Sequence, residues 1–208
     1  DYPPIYPPFI WRGWTDWGGG AIGDMGAHLI DSAFWALDLD YPTSIETTST
    51  PYNKDTYPMA STTHYQFAAR GQRPAVTMTW YDGGLLPPKP EELGEEELNK
   101  GGGVLFVGTK GKLMHDTYGY NPRLLPKSLH DSVGTPKQTY ERIATSHEMN
   151  WIDAIRGTQK TTSPFEYSAK LTEIMLLGVV ALNAGRKIQY DGANMKITNV
   201  PGSDALLK

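Results

Sequence analysis

Residues 18–31 read GGGAIGDMGAHLID, and the rest of the chain is organised around this stretch. Three glycines run into a segment whose apolar residues, Ile22, Met25, Leu29, Ala33, Phe34 and Leu37, recur at helical spacing. That spacing predicts a helix over residues 21–37, ended by Asp38, Asp40 and Pro42. On such a helix Asp24 and His28 are one turn apart, and Asp31 is one further turn along the same stripe. A carboxylate, an imidazole and a second carboxylate in a row suit proton transfer. Imidazole titrates near neutrality, and the second carboxylate can fix its tautomer. Taken singly, Asp24 suits a helix N-terminus and His28 suits a satisfied core position. Taken together beside the glycines, the three read as a site.

Gly18-x-Gly20-x-x-Gly23 also matches the dinucleotide fingerprint letter for letter. The context argues against it. Residues 11–16 are too polar and aromatic for the buried strand that a fingerprint follows, and Asp24 would repel a pyrophosphate. The glycines are expected instead to let the backbone approach a ligand or a second domain closely. Asp24, His28 and Asp31 have tolerable spacing for a metal-dependent hydrolase, but one helix cannot complete a coordination shell, and no metal is expected.

Composition sets the outer bounds. A chain of 208 residues, 39% hydrophobic and 20% charged, suits a single globular body over residues 18–208 with an entry segment at 1–17. The net charge of −4 supplies no basic field for phosphates, so nucleic acid is not an expected partner. With no cysteine there is neither a disulfide nor a thiolate metal site, and the redox compartment stays open. No apolar run reaches the length of a membrane span, and no signal peptide is visible. The chain opens on Asp1 rather than Met, which leads us to expect a processed product or a piece of something longer.

The entry segment is rich in proline and aromatics. Trp11, Trp14 and Trp17 recur at a spacing of three, as core cover or as a sugar-stacking platform. Arg12 among them suits a fork onto a hydroxyl or anion, or a salt bridge; Arg12, Trp14 and Trp17 are candidate substrate contacts. Residues 43–50 read as a short strand, and 61–69 with 75–82 as an antiparallel hairpin. In it Thr63, Tyr65 and Phe67 alternate against Thr62, His64 and Gln66, while Val76, Met78 and Trp80 share one face. Tyr81 and Asp82, at the strand end, are further candidate substrate contacts. The Glu-rich run at 90–100 reads as solvated surface. Residues 103–108 and 112–117 form a second hairpin, and 118–140 reads as a long partner-contacting loop. His64, His115, His130 and His147 are isolated and expected to be structural. Capping boxes at 145–148 and 163–166 open two helices, the second ending at Gly185, and residues 187–190 and 195–199 close the chain as short strands. The order predicts an α+β fold with a mostly antiparallel sheet and helices on one face.

Residues 11–31, WRGWTDWGGGAIGDMGAHLID, resemble the signature of the glucose–fructose oxidoreductase and inositol dehydrogenase family (Gfo/Idh/MocA type), in its branch common in Bacteroides-like and planctomycete bacteria. The resemblance continues through TWYDGGLLP at 79–87, GGGVLFVGTKGKL at 101–113 and SPFEYSAKLTEIMLLGVVALNAGRKIQYD at 163–191. It implies the family's C-terminal domain, an open sheet of the glyceraldehyde-3-phosphate dehydrogenase type that carries the substrate pocket and often the oligomer contact. It implies His28 as the acid/base at a sugar or polyol hydroxyl, with Asp24 orienting the substrate; the supporting role of Asp31 comes from its spacing on the helix alone. The N-terminal Rossmann domain that holds NAD or NADP, with its Glu-Lys-Pro lysine, is not in this sequence. The chain alone is therefore expected to bind no cofactor and to be inactive. Self-association is expected through an open sheet face rich in Thr, Tyr and Phe. Two alternatives stay open: a non-catalytic carbohydrate-binding or assembly module, and a fragment of an NAD-dependent glycoside hydrolase. The compartment is not legible.

Overall fold

Helix α1 (Gly20–Ala36) forms where the apolar periodicity places it, with Ile22, Gly26, Ile30, Ala33 and Phe34 buried along one face. The computed structural model describes residues 9–207, so both Pro-Pro pairs of the entry segment lie outside the described residues. The C-terminal end of α1 meets two cations: the Arg73 guanidinium donates to the Leu37 and Asp38 carbonyls, both at 3.2 Å, and Arg70 pairs with Asp38. Positive charge at a helix C-terminus opposes the helix dipole favourably.

The strands are β1 (Ser44–Ser49), β2 (Ser61–Phe67), β3 (Val76–Tyr81), β4 (Gly103–Gly108), β5 (Gly111–Asp116), β6 (Arg123–Leu125), β7 (Ile188–Asp191) and β8 (Lys196–Ile197). The remaining helices are α2 (Lys127–Val133), α3 (His147–Ile155) and α4 (Phe165–Ala184). Five strands form one sheet in the order β3-β2-β1-β7-β8, and β4-β5-β6 form a second. Every pairing is antiparallel. The α+β class stands as expected; the second sheet was not anticipated as a separate body.

Alternation in β2 decides which side of the large sheet is the core. Thr63, Tyr65 and Phe67 are buried beneath α1 and α4 with Trp80, Ile45 and Ile188. From α4 come Leu171, Ile174, Leu177 and Ala181. Ile45, Ile174 and Ile188 have no exposed surface, and each contributes roughly 1.5–3 kcal/mol by burial. Because Tyr65 and Phe67 point inward, the open face is not the Tyr/Phe surface expected. It carries Glu46, Thr48, Thr62, His64, Gln66, Thr79 and Tyr81.

The small sheet has its own core of Leu93, Met114 and Leu125. Leu93 comes from the Glu-rich run, whose Glu92 and Glu96 pair with Lys112 and Arg123. That run is thus a clamp on the second sheet as well as a solvated surface. Within 118–140 the expected loop contains β6 and α2, the latter bracketed by Pro126 and Gly134. Ser146, not Thr145, caps α3, its hydroxyl accepting from Met149 N at 3.3 Å. Pro164 rather than Ser163 occupies the cap of α4, which ends at left-handed Gly185 as expected.

Candidate functional site

The glycine run lets the chain pack on itself. A Cβ on Gly18 would lie 2.4 Å from the Arg12 carbonyl oxygen, and one on Gly20 would lie 2.8 Å from the Tyr57 ring. Gly20 also has φ +68°, where side chains are strained. The close approach expected for a ligand or second domain is therefore to residues of this chain. Among the described residues no strand precedes the turn: a 3-10 turn over Ile10–Gly13 does, followed by a bridge from Trp14 to Thr56. These residues do not fit a pyrophosphate. Gly20→Ala should destabilise the domain by about 1–3 kcal/mol in denaturant unfolding. Unchanged stability would refute the packing role.

The row along α1 is present, but its members turn to different neighbours. Asp24 accepts from Arg12 Nε at 2.7 Å. The same guanidinium donates to the Phe9 carbonyl at 3.0 Å and lies over the Phe9 and Trp11 rings, at 4.4 and 4.8 Å. Arg12 thus forms the salt bridge that was one of its two readings. Both side chains are half-buried, and surface pairs contribute about 0–1 kcal/mol, so the pair matters more for orienting Asp24 than for stability. Asp31 does not meet His28; it accepts from the Tyr167 hydroxyl of α4. Burial first, and then Asp31, push the Tyr167 phenol well above its ordinary range.

His28 is exposed on α1, and its ring nitrogens have no hydrogen-bond partner among the described residues. Its ring meets Tyr118 edge-on, with centroids 4.9 Å apart and planes at 73°. One turn along α1, Ser32 Oγ bonds His115 Nε2 at 2.9 Å. Tyr118 and the Ser32–His115 bridge were not anticipated, since only the second sheet brings them to α1. His64 bonds Thr79, and His130 accepts from Leu124 N, both structural contacts.

The other candidates lie apart. Trp17 is 74% exposed and Trp11 47%, so neither covers the core; Trp14 is half-buried. Among the described residues of this segment only 10–13 are helical, and Trp14 and Trp17 lie beyond them, so the three indoles form no single stripe. Tyr81 sits on the open sheet face, opposite the helices. The Asp82 carboxylate accepts from Ser61 N at 2.6 Å, Ser61 Oγ at 2.8 Å and Trp80 Nε1 at 2.8 Å. That is a clamp between β2 and β3. Asp82→Ala strands those donors and should cost about 2–4 kcal/mol, read as a lowered Tm. Intact stability with weakened substrate binding would reverse this assignment.

Two clefts, of about 470 and 390 Å³, are lined by Asp40, Tyr41, Lys170 and Tyr190, and by Leu37, Asp38, Phe67 and Arg70. Neither includes His28. Among the described residues no group of three or more His, Cys, Asp or Glu is placed to hold a metal ion, and no helix is long and apolar enough to cross a membrane.

A family model described as the oxidoreductase family, C-terminal alpha/beta domain, matches residues 8–208. No curated protein matches the chain. Among solved structures, an NAD-binding protein from Listeria innocua is similar with a TM-score of 0.55 at 13% identity, over 88% of this chain and 51% of that one. An oxidoreductase from Agrobacterium radiobacter, in complex with NAD+, L-tartaric acid and magnesium, has a TM-score of 0.45 at 12% identity, over 82% and 49%. The chain spans about half the length of these structures. The first supports the fold; the family model, running from residue 8 to residue 208, carries the assignment. The chain belongs to the Gfo/Idh/MocA oxidoreductase family and comprises its C-terminal α/β domain.

Proposed function

We propose that this domain supplies the substrate side of an NAD- or NADP-dependent oxidoreductase acting on a sugar or polyol. His28 is the acid/base at the hydroxyl being oxidised, and Asp24 orients the substrate beside it. The observation that carries this reading is the exposed His28 ring, held by Tyr118 with its nitrogens unpaired among the described residues. A satisfied structural histidine would spend those nitrogens on the protein.

Within this chain the work is proton transfer and orientation. His28 takes the hydroxyl proton, while Arg12 holds Asp24 in place one turn away. His28 sits on an open surface, and hydride transfer requires enclosure and alignment of the reacting carbon. The reading therefore pairs this domain with a Rossmann domain that holds the dinucleotide and closes over α1. It also makes the domain inactive alone and uses the open sheet face for self-association. The test is His28→Gln in the enzyme that joins both domains. Turnover is lost while dinucleotide affinity is kept; unchanged turnover overturns the assignment.

A second reading rests on the exposure of Trp11 and Trp17: a carbohydrate-binding module without catalysis. Sugar titration followed by tryptophan fluorescence separates the two. Tight binding, with His28→Gln leaving turnover of the joined protein intact, supports the module.

A further inference from the structure

The turn that carries Tyr118 is held more firmly than an exposed loop requires. Tyr118 has φ 64° and ψ 19°, the left-handed region that a bulky residue rarely adopts. Tyr118 is 60% exposed, so burial does not explain this conformation. The surrounding contacts enforce it. Asp116 N donates to the Tyr120 carbonyl at 2.8 Å. The Asp116 carboxylate accepts from the Asn99 amide at 3.0 Å and the Asn121 amide at 2.7 Å, which hold it below the usual carboxylate range. Thr117 Oγ1 donates to the Gly101 carbonyl at 3.2 Å.

Just before the turn, His115 is buried and fixed through both ring nitrogens. Its Nδ1 donates to the Asp116 carbonyl at 2.7 Å, since a carbonyl can only accept, and its Nε2 bonds Ser32 Oγ at 2.9 Å. Ser32 stands one helical turn after His28 on α1. The second sheet is therefore latched to α1 beside His28, and the strained residue that follows the latch places its ring against the imidazole. Backbone strain persists where surrounding structure over-determines it, and it concentrates at functional sites.

We propose that Tyr118 is a positioning residue for His28, with the Ser32–His115 bridge as the latch that delivers it. This rests on His28 being the acid/base. Torsion about the last side-chain bond of histidine is broad, so an exposed imidazole samples many ring planes. An edge-to-face partner restricts it to one, because the positive ring edge of one group faces the negative ring face of the other. Ring and not hydroxyl does this, so phenylalanine suffices.

Two measurements test it. In the 208-residue chain, His28 ring-proton resonances, identified by their loss in His28→Gln, shift in Tyr118→Ala and stay in place in Tyr118→Phe. Ser32→Ala shifts them in the same direction as Tyr118→Ala. In the joined enzyme, Tyr118→Ala lowers kcat about 10- to 100-fold with KM nearly unchanged, and Tyr118→Phe restores it. Resonances that ignore Tyr118→Ala, or a Phe variant as slow as the Ala variant, overturn the positioning role. Resonances that ignore Ser32→Ala overturn the latch. If His28→Gln leaves turnover intact, the acid/base reading falls, and the resonances still report whether Tyr118 orders the ring.

Discussion

His28→Ala will lower kcat of the joined oxidoreductase by about 10²- to 10⁴-fold, the range that a general acid/base contributes. The same substitution should leave folding stability within about 0.5 kcal/mol, because the side chain is exposed and its ring nitrogens bond nothing among the described residues. That contrast separates a chemical role from a structural one. The ring contact with Tyr118 is lost, but Tyr118 keeps its turn through Asp116, Asn99 and Asn121. Removal of an exposed imidazole leaves an open space beside Tyr118, so added imidazole should restore part of the rate. Asp24→Asn should cost less, about tenfold. The amide still accepts from Arg12 Nε and keeps its place, while the negative charge beside the substrate is gone. An Ala variant that turns over at the parent rate, or whose loss tracks a lowered Tm, ends the assignment.

The parts of this site that sequence could show are those set by local spacing. Asp24 and His28 are one turn apart, with Asp31 one further turn along, and helical periodicity places them on one side of α1 whatever surrounds it. The alternation of β2 was legible for the same reason, since it has a fixed period of two, but which of its two sets faces the core was not: Tyr65 and Phe67 turn inward, away from the open face expected of them. What was not legible is where a side chain finds its partner. Asp31 shares the stripe with His28, yet its carboxylate turns to Tyr167, which lies 136 positions away along the chain. His115 reads as an isolated histidine because Ser32, its partner, is 83 positions distant. The glycine run misled in a more instructive way. Its demand for close approach was read correctly, but the approaching groups, Arg12 and Tyr57, belong to the same chain. A signal for α2 was present and went unused: Pro126 before it and Gly134 after it are the marks of a short helix.

Gly178→Leu will abolish stable folding, and Gly178→Ala will cost about 2–4 kcal/mol in urea unfolding. Gly178 is buried in the middle of α4, where this helix crosses the large sheet beside α1. A Cβ there would lie 2.5 Å from the Tyr65 hydroxyl, 2.9 Å from Ile22 Cδ1 and 3.4 Å from Thr63 Cγ2. Tyr65 has no exposed surface, and its hydroxyl donates to the Met175 carbonyl at 3.3 Å, so it cannot swing away into solvent. The Gly178 carbonyl is itself tied to β1, accepting from Thr47 Oγ1 at 2.9 Å, which stops the helix from lifting off the sheet. Helix propensity alone would reward Gly→Ala by about 1 kcal/mol, so the sign of the measured effect decides whether packing or propensity governs this position. The clash has one principal source, and that gives the prediction a second edge. Tyr65→Phe removes the atom 2.5 Å away while leaving the ring in the core. It also deletes the hydrogen bond to Met175, so alone it should destabilise by about 1 kcal/mol. Combined with Gly178→Ala it should recover part of the loss, with a coupling of roughly 0.5–3 kcal/mol. Strictly additive effects would mean that α4 accommodates the methyl group by moving, and that the helix–sheet crossing is looser than its contacts indicate.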